Sequence, residues 1–198
     1  MALAMSLVAI IALAVVSPLP LLPQTRAVKV KSFQWKVLQE LKDEWGAFRG
    51  SDTWLPGNDC AAISGVKCYQ EGSVLELSLS NRGLTGSIPT SIVTLELGTL
   101  NLSDNQLTGP LPPSLFDTDT CQELDLSYNQ LTGPIPTSYS QGLGSMLQLR
   151  LQGNQLTGSI PGDMLTALPN LKELLLNNNQ LSGNIPSQIS DMRSLTRL

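Results

Sequence analysis

The chain of 198 residues contains no histidine, and this absence excludes several kinds of active site. A Ser-His-Asp triad, a Cys-His pair and a histidine-based metal site all need the imidazole ring. Only three cysteines are present, and the two that lie close together, Cys60 and Cys68, are too few for a zinc site. We therefore predict no metal and no cofactor.

Charged residues are also sparse. Twelve lysines and arginines stand against sixteen aspartates and glutamates, and the basic residues form no stripe, which argues against nucleic-acid binding. Glu123 and Asp125 alternate along one predicted strand, and paired carboxylates hydrolyse glycosides when they flank a cleft. On an open sheet no cleft encloses them, so we interpret them as a solvated acidic patch. The sequence predicts a protein that is not an enzyme.

One short sequence occurs five times in the second part of the chain. It reads Leu-Thr-Gly-Ser-Ile-Pro at Leu84–Pro89 and recurs with small changes at Leu107–Pro112, Leu131–Pro136, Leu156–Pro161 and Leu181–Pro186. The first leucines of successive copies are 23, 24, 25 and 25 residues apart. A leucine-bearing repeat with a period of about 20–29 residues is typical of a solenoid. A solenoid presents a long surface and seldom an active-site cleft.

A second pattern, Leu-x-x-Leu-x-Leu-x-x-Asn-x-Leu, leads into each copy, although Arg82 takes the place of the asparagine in the first. Leu124 and Leu126 show its Leu-x-Leu centre, which places two side chains on one face of a short strand. Parallel stacking of such strands joins the leucines into one core and leaves the intervening residues on a solvated face. The asparagine follows the strand, where its amide can bond backbone groups that lack a ladder partner. The predicted asparagine ladder comprises Asn105, Asn129, Asn154 and Asn179.

These residues resemble the plant-specific class of leucine-rich repeat, Leu-x-x-Leu-x-Leu-x-x-Asn-x-Leu-(Thr/Ser)-Gly-x-Ile-Pro, over residues 74–198. The resemblance implies an α/β repeat solenoid, right-handed and curved, with parallel strands on its concave face and an N-terminal helical cap. Trp54, Cys60 and Gly65–Cys68 resemble the cap of the same family, although Ile63 replaces its second tryptophan and one extra residue separates the cysteines. Such domains belong to receptor-like kinases, receptor-like proteins and secreted polygalacturonase-inhibitor-like proteins.

We divide the chain into three parts. Residues 1–27 are predicted to be a secretory signal peptide, because the apolar run Leu7–Val16 precedes small residues that suit cleavage; an uncleaved anchor is the alternative. Residues 28–73 are the predicted N-terminal capping domain, and residues 74–198 are the leucine-rich repeats, five complete and the sixth truncated.

Three local predictions belong to the cap and the third repeat. Ser32–Trp45 is a predicted helix with Ser32 as its N-cap and Gly46 at its end. Cys60 and Cys68 are expected to form a disulfide, with two free thiols as the alternative. Cys121 takes a leucine position and is expected to be buried and unreactive.

A sixth copy begins after Pro186 with Ile189, Met192, Leu195 and Leu198. We expect the chain to be a fragment of a longer receptor-type protein. The alternative is a stand-alone protein whose last coil is covered by a partner or by a second copy.

The outward positions of the strands vary while the leucines do not, which indicates a ligand surface. This face is polar and mildly acidic with Arg150 as its one cation, which suits a peptide or glycan that carries basic or hydroxyl groups. For any single residue, an ordinary solvated strand face is an equal alternative. Asn101-Leu102-Ser103 is a glycosylation sequon, and a glycan on Asn101 would cover part of the face. The predicted ligand-binding residues are Glu76, Ser78, Thr99, Asn101, Glu123, Asp125, Tyr128, Gln148, Arg150, Gln152, Glu173, Leu175 and Asn177.

We therefore predict an extracellular ligand-recognition module of a receptor-like protein or receptor-like kinase. The alternatives are a secreted polygalacturonase-inhibitor-like defence protein, whose family carries more repeats and a C-terminal cysteine cap, and a structural or adaptor protein. The expected partner is a protein or peptide ligand, with a co-receptor or a cell-wall component as further candidates. No nucleic-acid partner is expected. Attachment to a membrane is expected only through a missing C-terminal region or an uncleaved leader. The expected location is secreted, on the extracellular side of the plasma membrane or in the cell wall.

Overall fold

The computed structural model describes residues 28–137 and 143–198, so the predicted signal peptide at residues 1–27 lies outside the described residues. The helices within these ranges are α1 (Ser32–Trp45) and α2 (Gly162–Ala167). Short 3-10 turns occupy Ser51–Thr53, Cys60–Ala62, Thr90–Leu95, Pro113–Phe116 and Ser187–Asp191. The strands are β1 (Val66–Cys68), β2 (Val74–Ser78), β3 (Thr85–Gly86), β4 (Thr99–Asn101), β5 (Gln106–Pro110), β6 (Glu123–Asp125), β7 (Gln130–Pro134), β8 (Gln148–Arg150), β9 (Gln155–Thr157) and β10 (Glu173–Leu175).

The main sheet has the strand order β1-β2-β4-β6-β8-β10. Each of the strands from β2 to β10 in this sheet comes from one repeat and pairs in parallel with the strand of the next repeat. The central leucine of each strand stands directly opposite that of its neighbour, as Leu100 does with Leu124. A shift by one residue would turn every leucine out of the core, so the leucine pattern fixes this register. The predicted parallel-strand solenoid is confirmed.

A second sheet, β3-β5-β7-β9, runs through the Leu-Thr-Gly segments. These short parallel strands pair coil to coil, for example Gly109 with Leu131. Gly109 and Gly133 have φ values of 79° and 76°, a region that side chains rarely adopt, so the chain can bend there without strain. This sheet has no counterpart among the predicted elements.

The asparagines fasten each coil to the one before it. The side-chain carbonyl of Asn105 accepts hydrogen bonds from the backbone N–H groups of Arg82, Gly83 and Leu84, and its amide group donates to the carbonyl of Leu79. Asn129, Asn154 and Asn179 make equivalent bonds to the N–H groups of Leu107, Leu131 and Leu156. Buried backbone groups that lack a strand partner are satisfied in this way.

The cap covers the open end of the leucine core. Helix α1 buries the stripe Val37, Leu38, Leu41 and Trp45. The helix itself is confirmed and ends at Gly46, but the prediction of Ser32 as its N-cap is wrong by one residue. Lys31 is the capping residue. Its N–H donates to the carbonyl of Gly72 at 3.0 Å, and its backbone stays non-helical with a ψ of 140°, so the helix begins after it.

A buried glutamine joins the cap to the first two repeats. Gln34 is 3% exposed, donates to the carbonyl of Leu95 at 3.0 Å and accepts from the N–H of Val74 at 2.8 Å. Cys60 and Cys68 are joined by a disulfide with a Cα–Cα distance of 6.0 Å. Strand β1, which contains Cys68, adds to β2 in antiparallel fashion and so ends the parallel sheet on the side of the cap.

The remaining core features agree with the leucine pattern. Cys121 is a free, buried cysteine in the position of a core leucine. Beyond β10, Arg197 pairs in parallel with Glu173, so the sixth copy begins a further coil. Among the described residues, no helix is both long enough and apolar enough to cross a membrane.

Candidate ligand-binding face

The outward side chains of the main sheet form three rows, which we name the concave face. Neighbours in a row stand opposite each other in the strand register, as Asp125 and Arg150 do. The first row is Glu76, Thr99, Glu123, Gln148 and Glu173. The second row is Ser78, Asn101, Asp125, Arg150 and Leu175. The third row follows the strands and is Ser80, Ser103, Ser127, Gln152 and Asn177.

Arg150 lies at the centre of a charge cluster on this face. Its Nε donates to Oε1 of Glu173 at 2.6 Å, and its Nη1 lies 3.7 Å from Oδ2 of Asp125. Arg197 extends the cluster, because its Nη1 lies 3.5 Å from Oε2 of Glu173. Arg150 is the cation that the sequence predicted on this face. Its charge is already compensated by carboxylates on both neighbouring coils.

These contacts change the pKa values of the two central groups. The hydrogen bond from Arg150 lowers the pKa of Glu173 below its ordinary value, and the positive charges of Arg150 and Arg197 act in the same direction against the effect of burial. The bond to Glu173 raises the pKa of Arg150 in turn, with smaller contributions from Asp125 and Glu123. Both shifts favour the charged forms of Arg150 and Glu173.

Two predicted ligand-binding residues are buried rather than exposed. Gln152 is 8% exposed and Leu175 is 9% exposed. Leu175 stands opposite Arg150, beside a long side chain that crosses to Glu173 on the same strand, which shields it from water. In the third row, Ser103 and Ser127 are buried as well, and their hydroxyls are satisfied by hydrogen bonds that they donate to Asn101 and Asp125.

One backbone position of every repeat, just after the third row, has a positive φ. We name these five residues the left-handed column: Asn81, Asp104, Tyr128, Gly153 and Asn178, with φ values of 54°, 56°, 53°, 70° and 56°. Asparagine, aspartate and glycine tolerate this region, whereas a bulky residue there is an outlier that costs about 1–2 kcal/mol. Tyr128 is that outlier, and its side chain is 52% exposed.

Tyr128 packs on the next residue of the column. A β-carbon added to Gly153 would lie 2.6 Å from Cδ1 and 3.0 Å from Cε1 of the Tyr128 ring. Only a glycine leaves room for the ring in this position. The backbone N–H of Tyr128 also donates to the backbone carbonyl of Gln152 at 2.9 Å, so the two residues are neighbours on adjacent coils.

The cap end of the concave face carries a polar cleft of about 340 Å³. Its walls include Tyr69, which is 48% exposed, and the carboxylates of Glu71, Glu76 and Glu96. Glu76 is paired with Lys67, whose Nζ lies 2.7 Å from Oε2. No lysine or arginine lines the cleft among the described residues, so it presents an acidic surface.

The sequon residue Asn101 lies in the second row and is partly exposed. Its side-chain carbonyl accepts hydrogen bonds from the N–H and the hydroxyl of Ser103 at 3.0 and 2.8 Å. The side chain is therefore held on the concave face, so that a glycan attached to it would extend over the strands.

Sequence reasoning found the rows of the face but missed Gly153 and the cleft residues Tyr69, Glu71 and Glu96. Gly153 could have been found, because it is the one glycine among the five aligned positions of the left-handed column and follows the one aromatic residue. The cleft depends on how the cap packs against the repeats, for which the sequence has no signal. Among the described residues, no group of three or more histidine, cysteine, aspartate or glutamate side chains is arranged to hold a metal ion.

The chain is similar to plant receptor ectodomains. The family model Leucine Rich Repeat matches residues 96–117, 120–141 and 170–192. A probable leucine-rich repeat receptor-like protein kinase of Arabidopsis thaliana is 41% identical over 70 residues, which are 34% of this chain and 7% of that kinase. The present chain thus matches a small part of the length of this curated relative.

Two solved structures, both from Arabidopsis thaliana, cover most of the chain. The ectodomain of the receptor kinase SOBIR1 has a TM-score of 0.71 at 31% identity and covers 85% of this chain and 91% of its own. The ectodomain of the receptor kinase GASSHO1/SCHENGEN3 was solved in complex with CASPARIAN STRIP INTEGRITY FACTOR 2. It has a TM-score of 0.74 at 33% identity, and the match covers 83% of this chain and 20% of the GASSHO1/SCHENGEN3 chain. The chain belongs to the plant-type leucine-rich repeat family and is a relative of the ectodomains of plant receptor kinases.

Proposed function

We propose that this chain is the extracellular ligand-recognition module of a receptor-like protein or receptor-like kinase and binds a protein or peptide on the concave face. The observation that carries the proposal is the contrast between the buried leucines, which repeat in register, and the outward residues, which change from coil to coil. A scaffold needs the first, whereas the second are free to suit a ligand. The related GASSHO1/SCHENGEN3 ectodomain, solved in complex with CASPARIAN STRIP INTEGRITY FACTOR 2, supports this use of the fold.

The domain division is part of the proposal. Residues 1–27 act as a signal peptide, residues 28–73 cap the first coil, and residues 74–198 form the repeats. The disulfide between Cys60 and Cys68 supports an oxidising compartment, since such bonds persist mainly in secreted proteins. The module then faces the outside of the plasma membrane or the cell wall.

The dimensions of the face suit a short extended peptide. Strands β2, β4, β6, β8 and β10 lie side by side, and neighbouring strands are about 4.8 Å apart, which gives a span of about 19 Å. An extended peptide advances about 3.3 Å per residue, so about six residues cross the five strands. A co-receptor or a cell-wall component would then contact surfaces outside these rows.

A glycan on Asn101 would limit access to the second repeat. We propose that the sequon is used, and the test is the mass of the chain after secretion from a eukaryotic host. A glycosylated chain loses its additional mass when Ser103→Ala removes the sequon. If the wild-type chain and Ser103→Ala both have the mass of the unmodified polypeptide, this part of the proposal is contradicted.

The proposed function is tested by selection from a displayed library of random peptides on the immobilised full chain. We expect peptides whose binding is weakened at least about tenfold by Glu123→Lys in the first row, because the reversed charge meets the ligand there. Glu40→Lys, a charge reversal on the exposed surface of α1, is the matched control and should leave binding unchanged. Binding that is lost with Glu40→Lys and kept with Glu123→Lys would place the ligand elsewhere.

A further inference from the structure

Tyr128 occupies a backbone position that the other repeats give to small or polar residues. The left-handed column has asparagine, aspartate or glycine in the remaining four coils, all of which tolerate a positive φ. Nothing in the core requires an aromatic ring here, since about half of the side chain is in solvent. Residues held in such strained positions are concentrated at ligand-binding sites, where the strain is retained for function.

The ring is supported from one side and open on the other. It rests on Gly153, where even a single β-carbon would collide with it. Because the side chain is 52% exposed, part of the ring is accessible to a ligand. Flat aromatic faces attract cations, because the ring quadrupole places negative potential above the ring.

Gln152 supplies a hydrogen-bond acceptor in the same region. The residue is 8% exposed, lies in the third row of the concave face, and its Oε1 has no hydrogen-bond partner within the part of the chain that the structure describes. A buried polar atom without a partner costs free energy, so it is a candidate for a donor that a ligand brings. The terminal torsion of glutamine is soft, which allows the amide to turn toward such a donor.

The charges around this region favour a cation over an anion. The cluster contributes Asp125, Glu123 and Glu173 against Arg150 and Arg197, and both guanidinium groups are already paired with carboxylates. Among the ion pairs of the described residues none involves Glu123, although its charge acts on Arg150 from a longer distance. The acidic cleft at the cap end has the same sign.

We propose that Tyr128, Gly153 and Gln152 form a subsite for an arginine or lysine side chain of the peptide ligand. The cationic head lies over the ring of Tyr128, one of its N–H groups donates to the side-chain carbonyl of Gln152, and the carboxylate of Glu123 supplies long-range attraction. Arginine fits best, because a planar guanidinium stacks on a ring and still has several donors at its edge. The inference rests on the proposed function and names the chemistry of its ligand.

The test compares peptide selection on three full-length chains: the wild type, Tyr128→Asn and Asp104→Asn. Tyr128→Asn removes the ring and installs the residue found at Asn81 and Asn178, so its melting temperature should be no lower than that of the wild type. Asp104→Asn changes the same position one coil earlier and is the matched control. We expect arginine and lysine to be enriched in peptides from the wild type and the control, and to return to the library frequency with Tyr128→Asn.

Two further measurements locate the effect. In a selected peptide, arginine to glutamine should weaken binding about tenfold for the wild type and have little effect on Tyr128→Asn. Gln152→Leu should weaken binding of the same peptide, whereas Tyr128→Phe, which keeps the ring, should retain it.

The outcomes separate this inference from the proposed function. Selected peptides without basic residues, or equal enrichment with Tyr128→Asn, overturn the subsite and leave peptide recognition standing. Failure to select any peptide contradicts the proposed function and the subsite together. Binding on a glycan array that depends on Tyr128 overturns the cation assignment in favour of a saccharide.

Discussion

The ring of Tyr128 lies where a side chain of residue 153 would have to be, because a β-carbon on Gly153 would approach Cδ1 of the ring to 2.6 Å. The two residues belong to successive coils and are therefore matched: the large residue in one coil requires the smallest in the next. Such a pair is tested by substitution of each member alone and of both together.

Gly153→Ala should lower the free energy of unfolding by about 2 kcal/mol, because alanine is strained at a φ of 70° and its methyl group displaces the Tyr128 ring. In a chain that already carries Tyr128→Asn, only the backbone strain remains and the loss should be about 1 kcal/mol. Urea unfolding of the four chains gives the coupling energy. Additive effects of the two substitutions would show that the ring does not depend on the glycine.

Asn129→Ala should destabilise the chain by about 2–4 kcal/mol, because it leaves several buried backbone groups unpaired. The side chain accepts from the N–H of Leu107 and donates to the carbonyls of Leu102 and Leu126. Asn179→Ala is the matched control in the last complete coil, where the same bonds are partly exposed to water and the loss should be smaller. Equal losses would mean that burial does not set the strength of these bonds.

Stability should fall in acid partly through Glu173. Its pKa is lowered in the folded chain by the hydrogen bond from Arg150, so the folded state binds its proton less readily than the unfolded state does. The resulting stabilisation is fully present above the unfolded-state pKa of about 4.3 and is lost as the pH falls through the lower folded-state value. The free energy of unfolding, measured by urea titration below about pH 4.3, should therefore depend less on pH in Glu173→Gln.

Arg150→Gln is the control for this pH dependence. It removes the partner rather than the titrating group, so it should flatten the acid limb to a similar extent, and the double variant should add little. An unchanged acid limb in both single variants would show that the ion pair does not contribute to stability.

Cys121 should be unreactive in the folded chain, because burial raises the pKa of its thiol to about 12 and hides it from reagents. We expect no labelling by a thiol reagent under native conditions and one labelled cysteine after unfolding in guanidinium chloride. Reduction of the Cys60–Cys68 disulfide before labelling should add two more. Rapid native labelling that disappears in Cys121→Ser would contradict the buried position.

The repeats and their register could be predicted because the same leucine pattern recurs in five copies of the sequence. The alternation around Leu124 and Leu126 sets which face is buried, and the fixed period sets which strand comes next. The cap helix was predicted from its apolar stripe, including Trp45. Its bounds, Ser32–Trp45, were predicted correctly, but its N-cap was misplaced by one residue, since the bond between Lys31 and Gly72 joins distant parts of the chain.

The second sheet and the burial of face residues could not be predicted in this way. Strands as short as Thr85–Gly86 carry no alternation, and their pairing follows from the pitch of the coils. Gln152 and Leu175 alternate as exposed residues should, but contacts between coils bury them. Tyr128 was predicted as a surface residue, whereas its left-handed backbone becomes visible only when the five coils are aligned.

The side-chain oxygens of the ladder asparagines all accept hydrogen bonds from the coil before their own, which makes the molecule directional. Opening of the coil that holds Asn179 would release the N–H of Leu156, and the next opening would then release that of Leu131. At the other end, Gln34 anchors the first coil to α1. Unfolding should therefore begin at the coil that holds Asn179 and continue coil by coil toward the cap. Amide hydrogen exchange should be slowest near Leu84 and progressively faster toward Leu156.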